Sequence, residues 1–282
     1  MMKTIGVVGA GVMGVGTAQL LAESNIRVVL LDVDQSILER AKESIHRNIR
    51  LSSLFRKTEP VCNADEAVSN ISLTLNYDSL SDVDFIIENV VEDLLVKQSA
   101  YRQLDKVCKR ECLFLADTSC ISITKLAGFT QRPEKVIGTH FMNPVPMTKA
   151  VELIRGYHTS DDTIQTVIQL MNTLNKKHIL VQDFPGFVSN RISHLFMNEA
   201  AFVLQDQVAE PIDIDNIFKD CYGHKMGPLE TADLIGLDTV VNSLDVLYQS
   251  FQDPKFKCCP LLRKMVDAGL LGRKSGQGFY KY

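Results

Sequence analysis

Short apolar runs rich in β-branched residues alternate with segments of helical periodicity through the first part of the chain. Helical patterns fill the gaps after the first three runs, and another covers residues 163–175. Such alternation predicts a parallel sheet with helices on both faces. The predicted strands are TIGVVGAG, RVVLLDVD, VDFIIENVV, CLFLADTS, KVIGTHFM, AVELIRG and HILVQD.

The pattern changes after DFPGF, where long helical periods replace the short apolar runs. These periods cover residues 188–207, 212–221 and 229–249, and Pro185 and Gly186 mark the change. Proline and glycine together are typical of a boundary between elements. We therefore predict an α/β fold: a Rossmann-type doubly wound sheet over residues 1–184, followed by an all-helical domain over residues 185–282.

Composition excludes several classes of protein. Of the 282 residues, 45% are hydrophobic and 23% charged, and the net charge is −4, which is ordinary for a soluble enzyme and unfavourable for binding nucleic acid. No apolar run has the length of a membrane span or signal peptide, so we expect a cytoplasmic protein without membrane contact. The cysteines are odd in number and lack metal-binding spacing, which favours reduced thiols and no metal site. They are Cys62, Cys108, Cys112, Cys120, Cys221, Cys258 and Cys259.

A glycine motif follows the first predicted strand. Gly9, Gly11 and Gly14 have the GxGxxG spacing at the start of a helix, which permits a tight turn and close approach of a pyrophosphate to the helix N-terminus. Asp32, at the end of the second strand, is placed to accept a bond from an adenosine ribose and to repel a 2′-phosphate. The motif therefore favours NAD as cofactor. The alternatives are a glycine turn without a ligand and an Asp32 that only caps its own turn.

A nicotinamide enzyme that oxidises an alcohol needs a base, and His140 is the candidate. It follows the strand KVIGT, near the strand end at which ligands bind in open α/β sheets. Glu152 lies in the next apolar run, where a carboxylate needs a hydrogen-bond partner. Glu152 could fix the tautomer of His140, as the third group of a triad does. The alternative is an edge strand whose Glu152 faces water.

Several ordered motifs give the chain a family resemblance. They are the glycine motif, GTHFMNP, VELI, DFPGFVSNR, MGPLETADLIGLD and GRKSGQGFYKY, and they extend from the first strand to the last residue. Together they resemble the L-3-hydroxyacyl-CoA dehydrogenase family, in particular its short bacterial 3-hydroxybutyryl-CoA dehydrogenase branch.

The resemblance assigns roles to four side chains. It implies that His140 is the base and Glu152 its partner, and that Ser119 and Asn190 hydrogen-bond the substrate oxygen. Taken alone, Ser119 could be a helix cap and Asn190 a residue of a first helical turn. The resemblance also places Glu92, Lys97 and Asn143 beside the nicotinamide half of the cofactor. Without it, Glu92 and Lys97 would be interpreted as an exposed, charged helix start.

The sequence departs from the family pattern in two places. ADTSC stands where the family usually has SNTSS, so Asp117 replaces an asparagine and Cys120 a serine, and Cys120 is expected to be a small buried side chain. A lysine-rich segment that would meet coenzyme A phosphates is replaced by RNIRLSSLFRKTEP, which keeps Arg50, Arg56 and Lys57. These cations could bind phosphate or form a solvated face.

The primary hypothesis is an NAD-dependent dehydrogenase that interconverts a short L-3-hydroxyacyl thioester and its 3-oxoacyl counterpart. The carrier of the acyl group, coenzyme A or an acyl carrier protein in a biosynthetic pathway, stays open. A rival of another class is a non-catalytic NAD(H)-binding protein, since the fold also resembles lens λ-crystallin. The C-terminal helices resemble the family's dimerisation domain, which implies a homodimer, whereas their apolar periodicity shows only that they bury a face.

Overall fold

The computed structural model describes residues 3–55 and 63–282, with only the backbone of residues 53–55. Contacts divide the chain into two compact units, Met1–Asp183 and Phe184–Tyr282. The first unit contains the sheet and the second is helical, so the predicted fold class, an α/β Rossmann-type sheet followed by a helical domain, is confirmed.

The sheet of the first unit has eight strands in the order β3-β2-β1-β4-β5-β6-β7-β8. The strands β1, β2 and β3 lie side by side in chain order, and the chain then crosses back so that β4 pairs with β1 on its other side. This reversal makes the carboxyl ends of β1 and β4 a topological switch point, where open α/β sheets bind ligands. The strands are β1 (Thr4–Val8), β2 (Arg27–Leu31), β3 (Ile71–Thr74), β4 (Phe85–Glu88), β5 (Leu113–Ala116), β6 (Val136–His140), β7 (Ala150–Arg155) and β8 (Lys177–Gln182).

Two features of this sheet differ from the sequence prediction. The edge strand β3 was not among the predicted strands, because ISLT is short and only its first residue is buried. The sheet is also not wholly parallel, since β7 runs antiparallel to β6 and parallel to β8. Glu152 therefore lies in an interior strand and is only 6% exposed, so the interpretation of a water-facing edge strand is wrong.

Helices cover the sheet and pack apolar side chains against it. One core cluster joins α1, α2 and α6 to the central strands, with Leu21, Leu38 and Val167 among its buried members. The helices of this unit are α1 (Val12–Glu23), α2 (Gln35–Phe55), α3 (Ala64–Ser69), α4 (Leu94–Val107), α5 (Ile123–Ala127) and α6 (Asp161–Thr173).

The second unit packs five helices around apolar clusters. One cluster contains Met197, Val240 and Leu262, and the other contains Ile214 and Leu229. The helices are α7 (Ser189–Gln205), α8 (Pro211–Asn216), α9 (Pro228–Ile235), α10 (Leu237–Phe251) and α11 (Pro260–Asp267).

Two buried carboxylates hold the C-terminal segment of this unit in place through hydrogen bonds. Asp233 accepts hydrogen bonds from the backbone N–H groups of Phe279 and Tyr280, each at 3.0 Å. Asp215 accepts one from the Tyr280 hydroxyl at 2.7 Å and also caps the start of α9. Buried carboxylates need such donors, which explains why two aspartates lie in an apolar core. None of the helices in the described ranges is long and apolar enough to cross a bilayer.

Candidate active site

The turn after β1 has the geometry that the glycine motif predicts. Gly9 has a φ of +96°, and a Cβ added there would lie 2.6 Å from the carbonyl oxygen of Asn89, which follows β4. A Cβ on Gly14 would overlap the Gly9 carbonyl oxygen. These two glycines are required by close packing of the turn, helix α1 and the end of β4.

Gly11 differs from the other two because a Cβ added there would meet no atom of the described residues within 4 Å. It is the N-cap of the twelve-residue helix α1 and supplies no side-chain cap. Backbone N–H groups at such a helix start can bind an anion that approaches closely. The space at Gly11 fits the pyrophosphate of a dinucleotide.

Asp32 connects the second strand to this turn. Its Oδ2 accepts a hydrogen bond from the Ala10 N–H at 2.7 Å, and its Oδ1 accepts one from Val33 N–H at 2.7 Å. The side chain therefore does bond within its own turn, as one alternative interpretation had it, but it also holds the glycine turn. A half-buried carboxylate here gives the adenosine end of the site a negative charge.

His140 lies between two polar side chains at the end of β6. Its Nδ1 is 3.1 Å from Oε2 of Glu152, the contact that the sequence predicts, and its Nε2 is 3.4 Å from Oγ of Ser119. Both His140 and Glu152 are buried. A carboxylate at Nδ1 favours the tautomer whose proton is on Nδ1, which leaves Nε2 as a proton acceptor.

Glu92 holds the turn that contains Ser119. Its Oε1 accepts hydrogen bonds from the Thr118 hydroxyl at 2.5 Å, from Ser119 N–H at 2.9 Å and from Cys120 N–H at 3.1 Å. The carboxylate thus fixes the backbone from which the serine hydroxyl projects. Cys120 is buried, in agreement with its expected role as a small core side chain.

Lys97 occupies a different environment from the one its sequence context suggests. It is fully buried, and its Nζ lies 2.8 and 3.0 Å from the two carboxylate oxygens of Glu88 and 3.5 Å from Glu92. The interpretation of Lys97 as part of an exposed, charged helix start is therefore wrong. Burial acts against the ammonium, but the two carboxylates outweigh it and raise the pKa of Lys97.

Asp117 is a buried carboxyl whose electrostatic neighbours are Lys97, Glu88 and Glu92. Its Oδ1 accepts a 3.2 Å hydrogen bond from the backbone N–H of Phe141, and its backbone oxygen accepts one from Lys97 at 3.3 Å. Burial raises the pKa of Asp117 to about 8, although the Phe141 bond and Lys97 act in the opposite direction. The aspartate that replaces the family asparagine is thus largely protonated near neutral pH.

A cavity of about 870 Å³ lies between α1, α2 and the loop after β6. One face of α2 supplies Arg40 and Arg47, and the loop supplies Asn143 and Met147. Neither arginine is among the candidate cations predicted from the sequence, although Arg47 is the first residue of the RNIRLSSLFRKTEP segment from which those candidates come, and most of that segment belongs to α2. Arg50 is exposed on α2 but is not among the residues that line the cavity, and Arg56 and Lys57 lie outside the described residues.

The loop that lines this cavity is held by a buried lysine that sequence reasoning also missed. Lys176, just before β8, donates to the carbonyl oxygen of Val145 at 2.6 Å and to that of Thr148. The lysine is only 4% exposed. Its place in the sequence, next to the exposed Lys177, gives no signal that one of the two is a core anchor.

Asn190 belongs to the second unit, in the first turn of α7. Its backbone oxygen lies 2.9 Å from Nδ1 of His194, one turn further along the helix. Its predicted role at the substrate oxygen stays a prediction. Within the described ranges, no group of three or more histidine, cysteine or acidic side chains is placed to hold a metal ion.

Family models match almost the whole chain. Residues 4–184 match the 3-hydroxyacyl-CoA dehydrogenase NAD binding domain, and residues 186–282 match the C-terminal domain of the same enzymes. A probable 3-hydroxybutyryl-CoA dehydrogenase of Deinococcus radiodurans is 45% identical over 277 residues, which are 98% of this chain and 99% of the relative. The 3-hydroxybutyryl-CoA dehydrogenase of Clostridioides difficile is 42% identical, with 99% of each chain covered.

Comparison with a solved structure leads to the same family. The (S)-3-hydroxybutyryl-CoA dehydrogenase of Ralstonia eutropha superposes with a TM-score of 0.93 at 41% identity, covering 100% of this chain and 99% of that one. Similarity in sequence and in three dimensions therefore extends through both units.

Proposed function

Because the chain belongs to the 3-hydroxyacyl-CoA dehydrogenase family, we propose that it interconverts a short L-3-hydroxyacyl-CoA and its 3-oxoacyl-CoA with NAD. The observation that carries this proposal is the position of His140, which lies within 3.1 Å of Glu152 and 3.4 Å of Ser119 at the ligand-binding end of the sheet. The four-carbon substrate in the names of the similar proteins supports a short acyl group.

NAD is the cofactor of this family, and the residues at the switch point fit it. Gly9 and Gly14 permit the tight turn, Gly11 leaves room for a pyrophosphate at the start of α1, and Asp32 adds a negative charge where NADP would bring a 2′-phosphate. When bound, NAD supplies the acceptor for the hydride that leaves the substrate carbon. Glu92 and Asn143 remain the proposed contacts to its nicotinamide half.

Lys97 is proposed to support the nicotinamide half of the site without contacting the cofactor, because its side chain has no exposed surface. Its single positive charge is shared by the carboxylates of Glu88 and Glu92, and Glu92 in turn holds the turn of Ser119. Its contribution to cofactor binding is therefore proposed to be indirect.

His140 performs the proton transfer in the proposed reaction. In the direction of oxidation, Nε2 takes the proton of the substrate hydroxyl, and Glu152 stabilises the imidazolium that results. Ser119 donates a hydrogen bond to the same oxygen as it becomes a carbonyl, and Asn190 is proposed to be a second donor. In the direction of reduction, the imidazolium returns the proton to that oxygen.

Coenzyme A is the proposed carrier. The cavity between α1, α2 and the loop after His140 lies within the size range of small-molecule sites. It is lined both by Gly11, where the pyrophosphate of NAD is proposed to bind, and by Arg40 and Arg47, which are proposed to meet phosphates of coenzyme A. Arg50, Arg56 and Lys57 remain candidate contacts beyond the cavity. An acyl carrier protein would offer one phosphate instead of three, so it makes less use of such a basic cavity.

The two units are proposed to have different functions. Residues 1–184 would bind NAD, and residues 185–282 would serve the substrate and a homodimer. Exposed apolar side chains on the second unit, such as Ile212, Ile217 and Leu234, support an interface there. Sedimentation equilibrium tests this point, since a monomer at micromolar concentration would contradict it. The cytoplasmic location stays a prediction.

The function is tested by oxidation of NADH with acetoacetyl-CoA, repeated with NADPH and with acetoacetyl-acyl carrier protein. We expect turnover with NADH and the coenzyme A thioester, and slower turnover with NADPH. Faster turnover with the carrier-protein thioester would instead favour a biosynthetic enzyme that acts on acyl-carrier-protein substrates. Binding of NADH without turnover of either thioester would favour the non-catalytic role.

A further inference from the structure

Asp117 is a buried carboxyl next to the proposed catalytic histidine. It follows β5 directly, and its Oδ1 holds the backbone N–H of Phe141, the residue after His140. Its Oδ2 is also buried and has no hydrogen-bond partner among the residues that the structure describes. An ionised carboxylate with an unsatisfied buried oxygen is costly, and a protonated carboxyl at this place costs much less.

The charges around Asp117 explain why a proton is retained there. Glu88 at the end of β4 and Glu92 after it already share the ammonium of Lys97 from α4. The hydroxyl of Tyr101, also on α4, is a titratable group that interacts with Asp117, and the hydroxyl of Tyr77 interacts with Glu88. The imidazole of His140 belongs to the residue before Phe141, whose N–H Asp117 holds. Ionised Asp117 would therefore be a third carboxylate beside a single lysine.

The ionisation state of Asp117 matters to the proposed cofactor because the two forms of the nicotinamide differ in charge. The ring of NAD⁺ is cationic and that of NADH is neutral. Hydride transfer requires the ring to lie next to the carbon whose oxygen His140 and Ser119 serve. Asp117 is two residues before Ser119 and contacts the residue after His140, so its charge would act on a ring bound there through a poorly hydrated region.

We infer that Asp117 couples a proton to the redox state of the bound cofactor, so that it is protonated beside the neutral ring of NADH and ionised beside the cationic ring of NAD⁺. The proton passes between the Oδ2 of Asp117 and the solvent, and no covalent bond to the cofactor is involved. This inference rests on the proposed function, since it requires the NAD site. It makes the relative affinity for the two cofactor forms depend on pH, which an asparagine at this position would not.

The experiment measures the dissociation constants of both cofactor forms as a function of pH. NADH is followed by its fluorescence, and NAD⁺ by its competition with NADH, in the intact protein and in Asp117→Asn. In the natural protein, affinity for NADH relative to NAD⁺ should fall on the order of tenfold from about pH 6.5 to about pH 9.5, as a nearby carboxylate forms. In Asp117→Asn this ratio should stay constant, because the amide does not titrate.

A matched control is Glu111→Gln, which removes an exposed carboxylate just before the other end of β5. It should keep the pH dependence of the natural protein. A second measurement does not depend on any variant: calorimetry at about pH 8 in buffers of different ionisation enthalpy should show proton release when NAD⁺ binds to the natural protein. This release should be smaller in Asp117→Asn.

The outcomes separate this inference from the proposed function. Binding of both cofactor forms with the same pH dependence in the natural protein and in Asp117→Asn would overturn the coupling and leave the NAD site intact. Failure of the natural protein to bind NADH at neutral pH would overturn the cofactor assignment and the coupling together. Absence of proton release on NAD⁺ binding would also overturn the coupling.

Discussion

Glu152 lies directly opposite His140 in the antiparallel pair of β6 and β7, and its Oε2 is 3.1 Å from the imidazole Nδ1. Directly opposed residues of antiparallel strands project their side chains from the same face of the sheet. The pairing of base and carboxylate is therefore built into the register of two strands. A shift of the register by one residue would turn one of the two side chains to the other face.

Replacing Glu152 with glutamine tests this pairing. The amide keeps the shape of the side chain but cannot stabilise an imidazolium as a carboxylate does. We expect kcat for acetoacetyl-CoA to fall about 100-fold or more, while NADH affinity is unchanged. Glu66→Gln, an exposed glutamate on α3, is the matched control and should retain full activity. Equal kcat values for the two variants would contradict the role of Glu152.

The cavity assignment predicts which arginine meets coenzyme A. Arg47 lines the cavity and Arg50, on the same helix, does not. Arg47→Met should raise KM for acetoacetyl-CoA about tenfold by removing a charge-assisted bond to phosphate. It should leave KM for the acetoacetyl thioester of N-acetylcysteamine unchanged, since that substrate has no phosphate. If Arg50→Met raises KM and Arg47→Met does not, the substrate follows another path across α2.

The buried ion pair predicts a large effect on stability. Lys97→Met leaves the carboxylate of Glu88 buried without its cation, and it should lower the free energy of unfolding by about 3–5 kcal/mol. Lys106→Met, an exposed lysine on the same helix α4, should cost little. Adding Glu88→Gln to Lys97→Met should restore part of the loss. Urea denaturation measures all three, and equal stability of the two lysine variants would show that the buried pair contributes nothing.

The raised pKa of Asp117 should make the stability of the folded protein depend on pH. The pKa of this carboxyl in the folded protein is raised to about 8, so the folded state retains a proton that the unfolded state loses at lower pH. Stability should therefore fall as pH rises from about 5 to about 8, relative to Asp117→Asn, by at most about 1.4 kcal/mol per pH unit. Urea denaturation of both proteins across this range measures the difference. Parallel pH profiles would show that Asp117 is already ionised at low pH.

The parts of the fold and site that the sequence predicts are those governed by local chemistry. The glycine spacing after an apolar run predicts the turn, because the backbone at Gly9 and Gly14 permits few other residues. On the residues alone, the contact of His140 with Glu152 is one of two interpretations, the other being a water-facing edge strand, and the family resemblance favours the contact. Both inferences use residues close in sequence or in adjacent runs.

The parts that the sequence does not predict depend on tertiary packing. Lys97 and Lys176 stand among other charged residues in the sequence, yet each is buried and anchors oxygen atoms from distant segments. The reversal of direction at β7 depends on the course of the loop after His140. The face of α2 that bears Arg47 becomes part of a cavity only because that loop packs near it.

The central claim is that His140 is the base, and His140→Asn tests it most directly. The decisive measurement is kcat for the reduction of acetoacetyl-CoA by NADH, together with the dissociation constant of NADH in the same preparation. The account predicts that kcat falls about 1000-fold while NADH affinity stays the same, because asparagine cannot transfer the proton. Unchanged kcat in a folded variant that binds NADH would contradict it.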